Sequence, residues 1–232
     1  MNKSLIVVIS IISLIGLFFI LYLYDRTRYG YNNNLIKNDH NAQEIFKSNE
    51  GYSISAPNKG LSSTLSFWVY INNWDYRFMK KKHIFDKGGF HGYFAEATND
   101  MVIEMPTFNN KTNEKIIYNN IPLQKWVNII IIVDNRNIDI WVDGELYKSR
   151  YLENLPVIIE NDPLIIAPYN GFSGKVANIN VWENSIKKSV IKHMYNEGPV
   201  YKGLFGNFKD TSDSKCIKDV DYTVAESSSE KK

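Results

Sequence analysis

The chain has 232 residues, 44% of them hydrophobic and 22% charged, which are globular values that exclude wholesale disorder and a collagen-like repeat. This length allows one medium domain with appendages and excludes a large multidomain machine. With 27 basic and 25 acidic side chains the net charge is +2, too weak a field to gather nucleic acid by counterion release, and the single cysteine, Cys216, allows neither an intramolecular disulfide nor a cysteine-rich zinc site.

Leu5 to Tyr24 contains no charged residue and is interrupted only by Ser10, Ser13 and Gly16. A helix of that run is about 30 Å long, the thickness of a hydrocarbon core. It ends on Tyr22 and Tyr24 and is followed by Asp25 and Arg26 where a signal peptide would place a small-residue cleavage site, so residues 1–24 are expected to be an uncleaved transmembrane anchor. Lys3 precedes the run, while Arg26, Arg28 and Lys37 follow it, and the positive-inside rule places the C-terminal part on the cytoplasmic side. Asn110-Lys111-Thr112 is a glycosylation sequon, usable only if that part faces the opposite way.

Residues 25–50 are polar and Asn-rich, without sustained periodicity, and are expected to form a stalk. Residues 206–232 end in Ser227, Ser228, Ser229 and charge, the pattern of a loosely ordered tail. Between them the dominant signal is alternation. Leu65, Phe67, Val69 and Ile71 share one face of an extended segment. Trp126 to Val133 is a β-branched run suited to a strand buried on both faces. Asn137–Val142, the Asp143-Gly144 turn and Glu145–Arg150 read as a hairpin. Shorter strands are expected at 52–55, 83–86, 92–97, 101–104, 115–118, 164–167 and 174–182. Many short strands with frequent turns predict an all-β sandwich or barrel. One amphipathic helix follows, with Ile186, Val190, Ile191 and Met194 at helical spacing and Gly198-Pro199 as its stop; it is expected to cover an edge or end of the sandwich.

In order along the chain, Ser66-Phe67-Trp68-Val69-Tyr70-Ile71, His83-Ile84-Phe85-Asp86-Lys87-Gly88, Ile121-Pro122-Leu123-Gln124-Lys125-Trp126-Val127, Ile140-Trp141-Val142-Asp143-Gly144-Glu145-Leu146, Gly171-Phe172-Ser173-Gly174-Lys175-Val176 and Met194-Tyr195-Asn196-Glu197-Gly198-Pro199 resemble the concanavalin A-like lectin/glucanase superfamily. Within it they are similar to laminin-G-like domains, over residues 51–205. The resemblance implies a jelly roll of two antiparallel sheets. The Asn, Ile and Lys bias is also similar to that of membrane-anchored domains of large DNA viruses. Members of the superfamily include lectins, glycoside hydrolases and adhesive modules, so the site decides the function.

A glycosidase needs two carboxylates about 5–5.5 Å or about 6.5–9.5 Å apart. The glucanases of the superfamily carry Glu-x-Asp-x-Glu on one strand, whereas Asn137-Ile138-Asp139-Ile140-Trp141 lacks both flanking glutamates. No catalytic residue is therefore assigned. His40, His83, His91 and His193 fall on a linker, a strand, a loop and a helix, away from Cys216, and Gly88-Gly89-Phe90-His91-Gly92 reads as a turn rather than a phosphate loop. Calcium is the one cofactor entertained, through Asp75, Asp86, Asp100, Asp134 and Asp162, whose spacing matches no EF-hand. Lys80-Lys81-Lys82 reads as a solvated loop.

Sugar recognition combines an aromatic face with planar polar groups, and Trp74, Tyr76, Phe90, His91, Tyr93, Tyr169, Asn170 and Phe172 are the candidates at loops and strand edges. Trp68, Trp126, Trp141 and Trp182 lie within expected strands and are assigned to packing. The expectation is a membrane-anchored, non-catalytic adhesion module for a glycan or protein partner. The alternatives are a structural bridge between a virion membrane and its capsid, and a glycoside hydrolase relative.

Overall fold

Alternating sequence becomes strand after strand in the computed structural model, which describes residues 3–28, 34–48, 61–108, 113–157 and 162–200. Helix α1 spans Lys3–Arg28. The strands are β1 (Asn34–Ile36), β2 (His40–Asn41), β3 (Phe46–Lys47), β4 (Ser62–Ile71), β5 (Lys82–Lys87), β6 (Phe90–Phe94), β7 (Met101–Met105), β8 (Glu114–Tyr118), β9 (Trp126–Asp134), β10 (Asn137–Val142), β11 (Glu145–Tyr151), β12 (Ile165–Ile166) and β13 (Gly174–Trp182), and helix α2 (Lys188–Glu197) follows.

Among the described residues these strands form two sheets. The first runs β1-β13-β4-β9-β10-β11, with β2 also on β13; the second runs β3-β12-β5-β6-β7-β8. The pairings are antiparallel, and two facing sheets with a short C-terminal helix fit the jelly roll. The expected hairpin is present, with Asp143 at φ 48° and Gly144 at φ 78°, the left-handed pair that a primed turn requires.

The core lies between the sheets. Leu65, Phe67, Val69 and Ile71 of β4 and Val127, Ile129, Ile131 and Val133 of β9 meet Phe85, Phe90, Phe94, Ile103 and Ile116 of the second sheet. Phe67 and Phe85 join the layers at 5.8 Å between ring centroids. Each such ring, fully buried, stabilises the fold by roughly 1.5–3 kcal/mol. The other face of β9 is buried as well, because α2 lies across it. Ile191 and Met194 pack on Ile130, Ile132 and Trp182, and Tyr195 stacks on Trp68 at 5.8 Å and 12°. The helix thus covers a sheet face, not an edge or end, because outward-pointing Trp68, Ile130, Ile132 and Trp182 make that face as apolar as its own stripe.

Residues 34–48 also differ from the expected stalk. They supply β1, β2 and β3 to the two sheets, and Ala42 is fully buried, donating its N–H to Gly174 O and accepting from Phe172 N. Strands of two or three residues carry too few positions to show a period.

Among the described residues no helix is long and apolar enough to cross a membrane. The described side chains of α1 are those of Ser4 and residues 8–23. The expected strand at 52–55, Asn110, Cys216 and the tail lie outside the described residues.

Candidate functional site

Pairing register places one polar row straight across the second sheet. Lys47 pairs with Ile165, Ile165 with Asp86, Asp86 with His91, His91 with Glu104 and Glu104 with Lys115. Residues directly opposite on neighbouring strands share a face. Since Phe85, Gly92, Ile103 and Ile116 form the adjacent inward row, this one points outward. His83 and Tyr93 stand opposite each other in the next outward row.

Glu104 is the hub. His91 Nε2 lies 2.9 Å from Oε2, Tyr93 donates its O–H to Oε1 at 2.5 Å, Lys115 Nζ lies 2.9 Å from Oε1 and Lys81 Nζ stands at 3.7 Å. Burial of Glu104 raises its pKa, but the hydrogen bonds from Tyr93 and Lys115 and the charges of Lys81 and His91 outweigh that and hold the carboxyl at about 2. It is therefore a fixed anion that offers no proton at neutral pH, which removes it as a general acid. Burial first, and then the same carboxylate, push the Tyr93 phenol well above its ordinary range, so its O–H stays a donor.

Rings extend the cluster. His83 lies 5.7 Å from Tyr93, 6.2 Å from His91 and 4.9 Å from Tyr169, and Lys81 Nζ sits 4.3 Å above Tyr93. Burial, aided by the charges of His91 and Lys81, lowers the pKa of His83. Tyr169 is 63% exposed and has φ 56° within the 3-10 turn Pro168–Asn170. Tyr76 donates its O–H to Asn170 O at 3.0 Å, tying the loop before β5 to that turn.

Of the eight sequence candidates, His91, Tyr93, Tyr169, Asn170 and Tyr76 are thus brought together, although Tyr93 is only 3% exposed. Phe90 and Phe172 are corrected to core residues, 2% and 0% exposed; alternation points Phe90 inward, and Phe172 packs edge-on against Phe94 at 5.0 Å. Trp74 is half-buried against the core with Lys82 Nζ 4.4 Å above its ring, and it lines a separate depression of about 560 Å³ with Asn99, Asn119 and Asn120. Lys82 itself is 1% exposed, unlike the solvated lysine expected, because its position in β5 faces inward.

Sequence reading missed His83, Glu104, Lys81 and Lys115 as one group, since nothing in their spacing announces the register. His91 lies in β6 rather than in a loop, beside His83. Period-two alternation on β6 and β7 is the signal that could have aligned His91 with Glu104.

Among the described residues no group of three or more His, Cys, Asp or Glu could hold a metal ion. Three of the acids entertained for calcium have local partners at the carboxylate: Asp100 accepts from Thr98 Oγ1 and Asn120 N, Asp86 from Gly89 N and Asp134 from Asn135 Nδ2.

An antiparallel two-sheet jelly roll with a polar and aromatic cluster on one outer face defines a lectin-like β-sandwich. The family model described as the concanavalin A-like lectin/glucanases superfamily, laminin-G-like, matches residues 46–192, and the chain belongs to that family. No curated protein sequence matches the chain. Among solved structures it is similar to the botulinum neurotoxin serotype D ligand binding domain in complex with N-acetylneuraminic acid, at 14% identity and TM-score 0.51 over 68% of this chain and 42% of that one. It is also similar to the botulinum neurotoxin serotype D binding domain, at 16% identity and TM-score 0.50 over 66% and 39%. The binding domain of Paraclostridial Mosquitocidal Protein 1 matches at 16% identity and TM-score 0.50 over 68% and 42%. The chain spans about two fifths of the length of these structures, and at this identity the likeness shows the fold alone.

Proposed function

We propose that the chain is a membrane-tethered, non-catalytic recognition module that takes a glycan on the outer face of the second sheet. The observation that carries this reading is the exposed Tyr169 ring standing beside His83, whose neighbours His91 and Tyr93 are locked to Glu104. An apolar ring face next to pre-oriented polar side chains meets the needs of a sugar, which presents C–H groups on one side and hydroxyls around its rim. Lys115 is 55% exposed and Lys81 38%, so both ammonium groups can reach a ligand. A non-catalytic role is supported by the low pKa of Glu104 and by the three donors and the Lys81 ammonium around it. The likeness to a neurotoxin domain captured with N-acetylneuraminic acid is compatible with a glycan ligand.

Tethering is supported by the uncharged run Leu5 to Tyr24 and by the exposure in α1 of Leu14, Phe18 and Ile20 at 70%, 65% and 63%. A helix apolar all round is at home in a protein core or a bilayer. Residue charge around the run supports a cytoplasmic-side sandwich. Tethered copies side by side would gain avidity from individually weak contacts.

Glycan-array binding by the full chain in nanodiscs tests the glycan reading. Binding that is lost in Tyr169→Ala and Lys115→Ala is expected. Silence across the array, or binding indifferent to both substitutions, overturns it and favours a protein partner such as a capsid shell. Release of reducing sugar from a bound polysaccharide would overturn the non-catalytic role.

A further inference from the structure

The loop between β4 and β5 presents two large apolar side chains to solvent, Phe78 at 57% and Met79 at 63% exposure. A tip of this kind gains nothing from water, and adjacent exposed apolar groups mark contact surfaces more often than scattered single ones do. The tip is held, not frayed. Phe78 N donates to Asp75 O at 3.1 Å, Lys80 N to Arg77 O at 3.0 Å and Met79 N to Glu96 O at 3.2 Å. Arg77 and Met79 adopt φ of 54° and 59°, left-handed values that non-glycine residues keep only where the surroundings enforce them, and such outliers cluster at functional positions. Tyr76 ties the same loop to the turn carrying Tyr169, so a second exposed ring stands on the segment to which the tip is fastened.

Charge around the tip selects the partner. Residues 75–81 carry Arg77, Lys80 and Lys81 against the single acid Asp75. Lys80 is exposed, whereas Arg77 reaches back to Lys81 O at 3.5 Å and Lys81 faces Glu104. Apolar side chains that enter the acyl boundary, flanked by bases at headgroup level, are the elements of peripheral membrane contact. A protein pocket for Phe78 and Met79 would not require the bases.

We propose that the Phe78–Met79 tip is a second membrane contact, a wedge that inserts into the surface of an anionic bilayer. It is separate from the tether proposed for Leu5 to Tyr24 and from the proposed glycan face. The bilayer is either the one that holds the chain or an opposing one, and both present the same chemistry.

The full chain carrying Cys216→Ser and Met79→Cys, labelled at position 79 with an environment-sensitive NBD probe, tests this. It is placed in nanodiscs of phosphatidylcholine alone or with phosphatidylserine, and the phosphatidylcholine sample is also mixed with free vesicles of either composition. A blue-shifted, brighter probe quenched by doxyl-labelled lipid is expected wherever phosphatidylserine is present, in the nanodisc for the chain's own bilayer and in the vesicle for an opposing one. Phe78→Ser abolishes the signal, and Lys80→Ala weakens vesicle partition roughly five-fold, the share of one lysine near an anionic surface. Both side chains are exposed, so thermal melting of these variants stays at the parent value. A probe that remains in water in every arm overturns the proposal, as does insertion into phosphatidylcholine alone to the same extent. Glycan binding through Tyr169 is read separately and is unaffected by Phe78→Ser, so the two readings fail independently.

Discussion

Tyr93 hands its phenolic hydrogen to Glu104 at 2.5 Å, diagonally across two neighbouring strands, and so buries a carboxylate that would otherwise oppose folding. Tyr93→Phe removes the phenolic donor from that carboxylate and is expected to cost about 1–2 kcal/mol; Glu104→Leu, which has no acceptor, orphans the phenol instead, at about 1–3 kcal/mol. Urea denaturation of both variants and of the double variant checks this. If the two losses simply add, the pair is not coupled.

Acid reaches the same hub. The carboxyl of Glu104 titrates near 2 in the fold against 4.5 for an ordinary glutamate. A depressed folded pKa stabilises at pH values above the unfolded one, so this contribution, on the order of 3 kcal/mol, is complete above about pH 5 and drains away between about 4.5 and 2. His83 pushes in the same direction at higher pH. Its imidazole is held below the ordinary 6.5, so below that value the unfolded chain takes up the proton first and stability falls. Melting temperature should therefore drop in two stages on acidification. Glu104→Gln should remove the lower stage and His83→Asn the upper one; a profile unchanged by both substitutions contradicts the assignment.

Lys82 lies 1% exposed, with carbonyls of Glu96 and Lys80 only at 3.4 and 3.5 Å and the Trp74 ring at 4.4 Å. Burial lowers its pKa from the usual 10.5, the mark of a charge that pays for its position. Lys82→Met keeps the stem and drops the charge, and it should leave stability unchanged or raise it by about 1 kcal/mol. A loss of several kcal/mol in chemical denaturation would show that the cation–ring contact dominates.

Long strands were legible because each repeats its inward residue several times. Leu65 to Ile71 shows the period four times over, and Trp126 to Val133 shows by continuous apolarity that both faces are covered. Neither clue exists for Asn34–Ile36 or Phe46–Lys47, whose place is set by partners more than 100 residues away, Ile179 and Ile165. The polar and aromatic face of the second sheet was half legible for the same reason. Loop chemistry marked Tyr169 and Tyr76, but the meeting of His91, Glu104 and Lys115 is a product of register between strands, which alternation within any one strand constrains only to a face and does not fix.

That difference has a direct consequence for where the domain begins. Ala42 O stands where a side chain on Gly171 would be, with a built Cβ meeting it at 1.9 Å, and Gly171 has φ 40°, open mainly to glycine. Gly171→Ala should push the β2 segment off the sheet and destabilise by more than about 2 kcal/mol. A fragment beginning at residue 51 should melt well below one beginning at residue 34, since it loses buried Ala42 and the backbone bonds to Gly174 and Phe172. Equal melting of the two fragments in differential scanning calorimetry would return residues 34–48 to the status of a linker.

Helix α2 is held by few side chains, which makes its docking easy to test. Ile191 is 1% exposed, inside a cluster with Ile130, Ile132 and Trp182, and truncating a buried isoleucine to alanine costs about 2–5 kcal/mol where the site cannot collapse. Tyr195 lies flat on Trp68 but is itself 38% exposed, so Tyr195→Ala should cost less, about 1 kcal/mol for the stacking. Tyr195→Ala uncovers Trp68 and Ile191→Ala uncovers Trp182, and in both variants tryptophan emission should shift to longer wavelength and become accessible to iodide. Because the Phe67–Phe85 core lies on the opposite side of the sheet, Ile191→Ala should loosen the helix before the sandwich, giving an early amide-exchange phase confined to residues 186–198. Exchange of α2 and the strands in one cooperative step would instead show that the helix is an integral part of the folding unit.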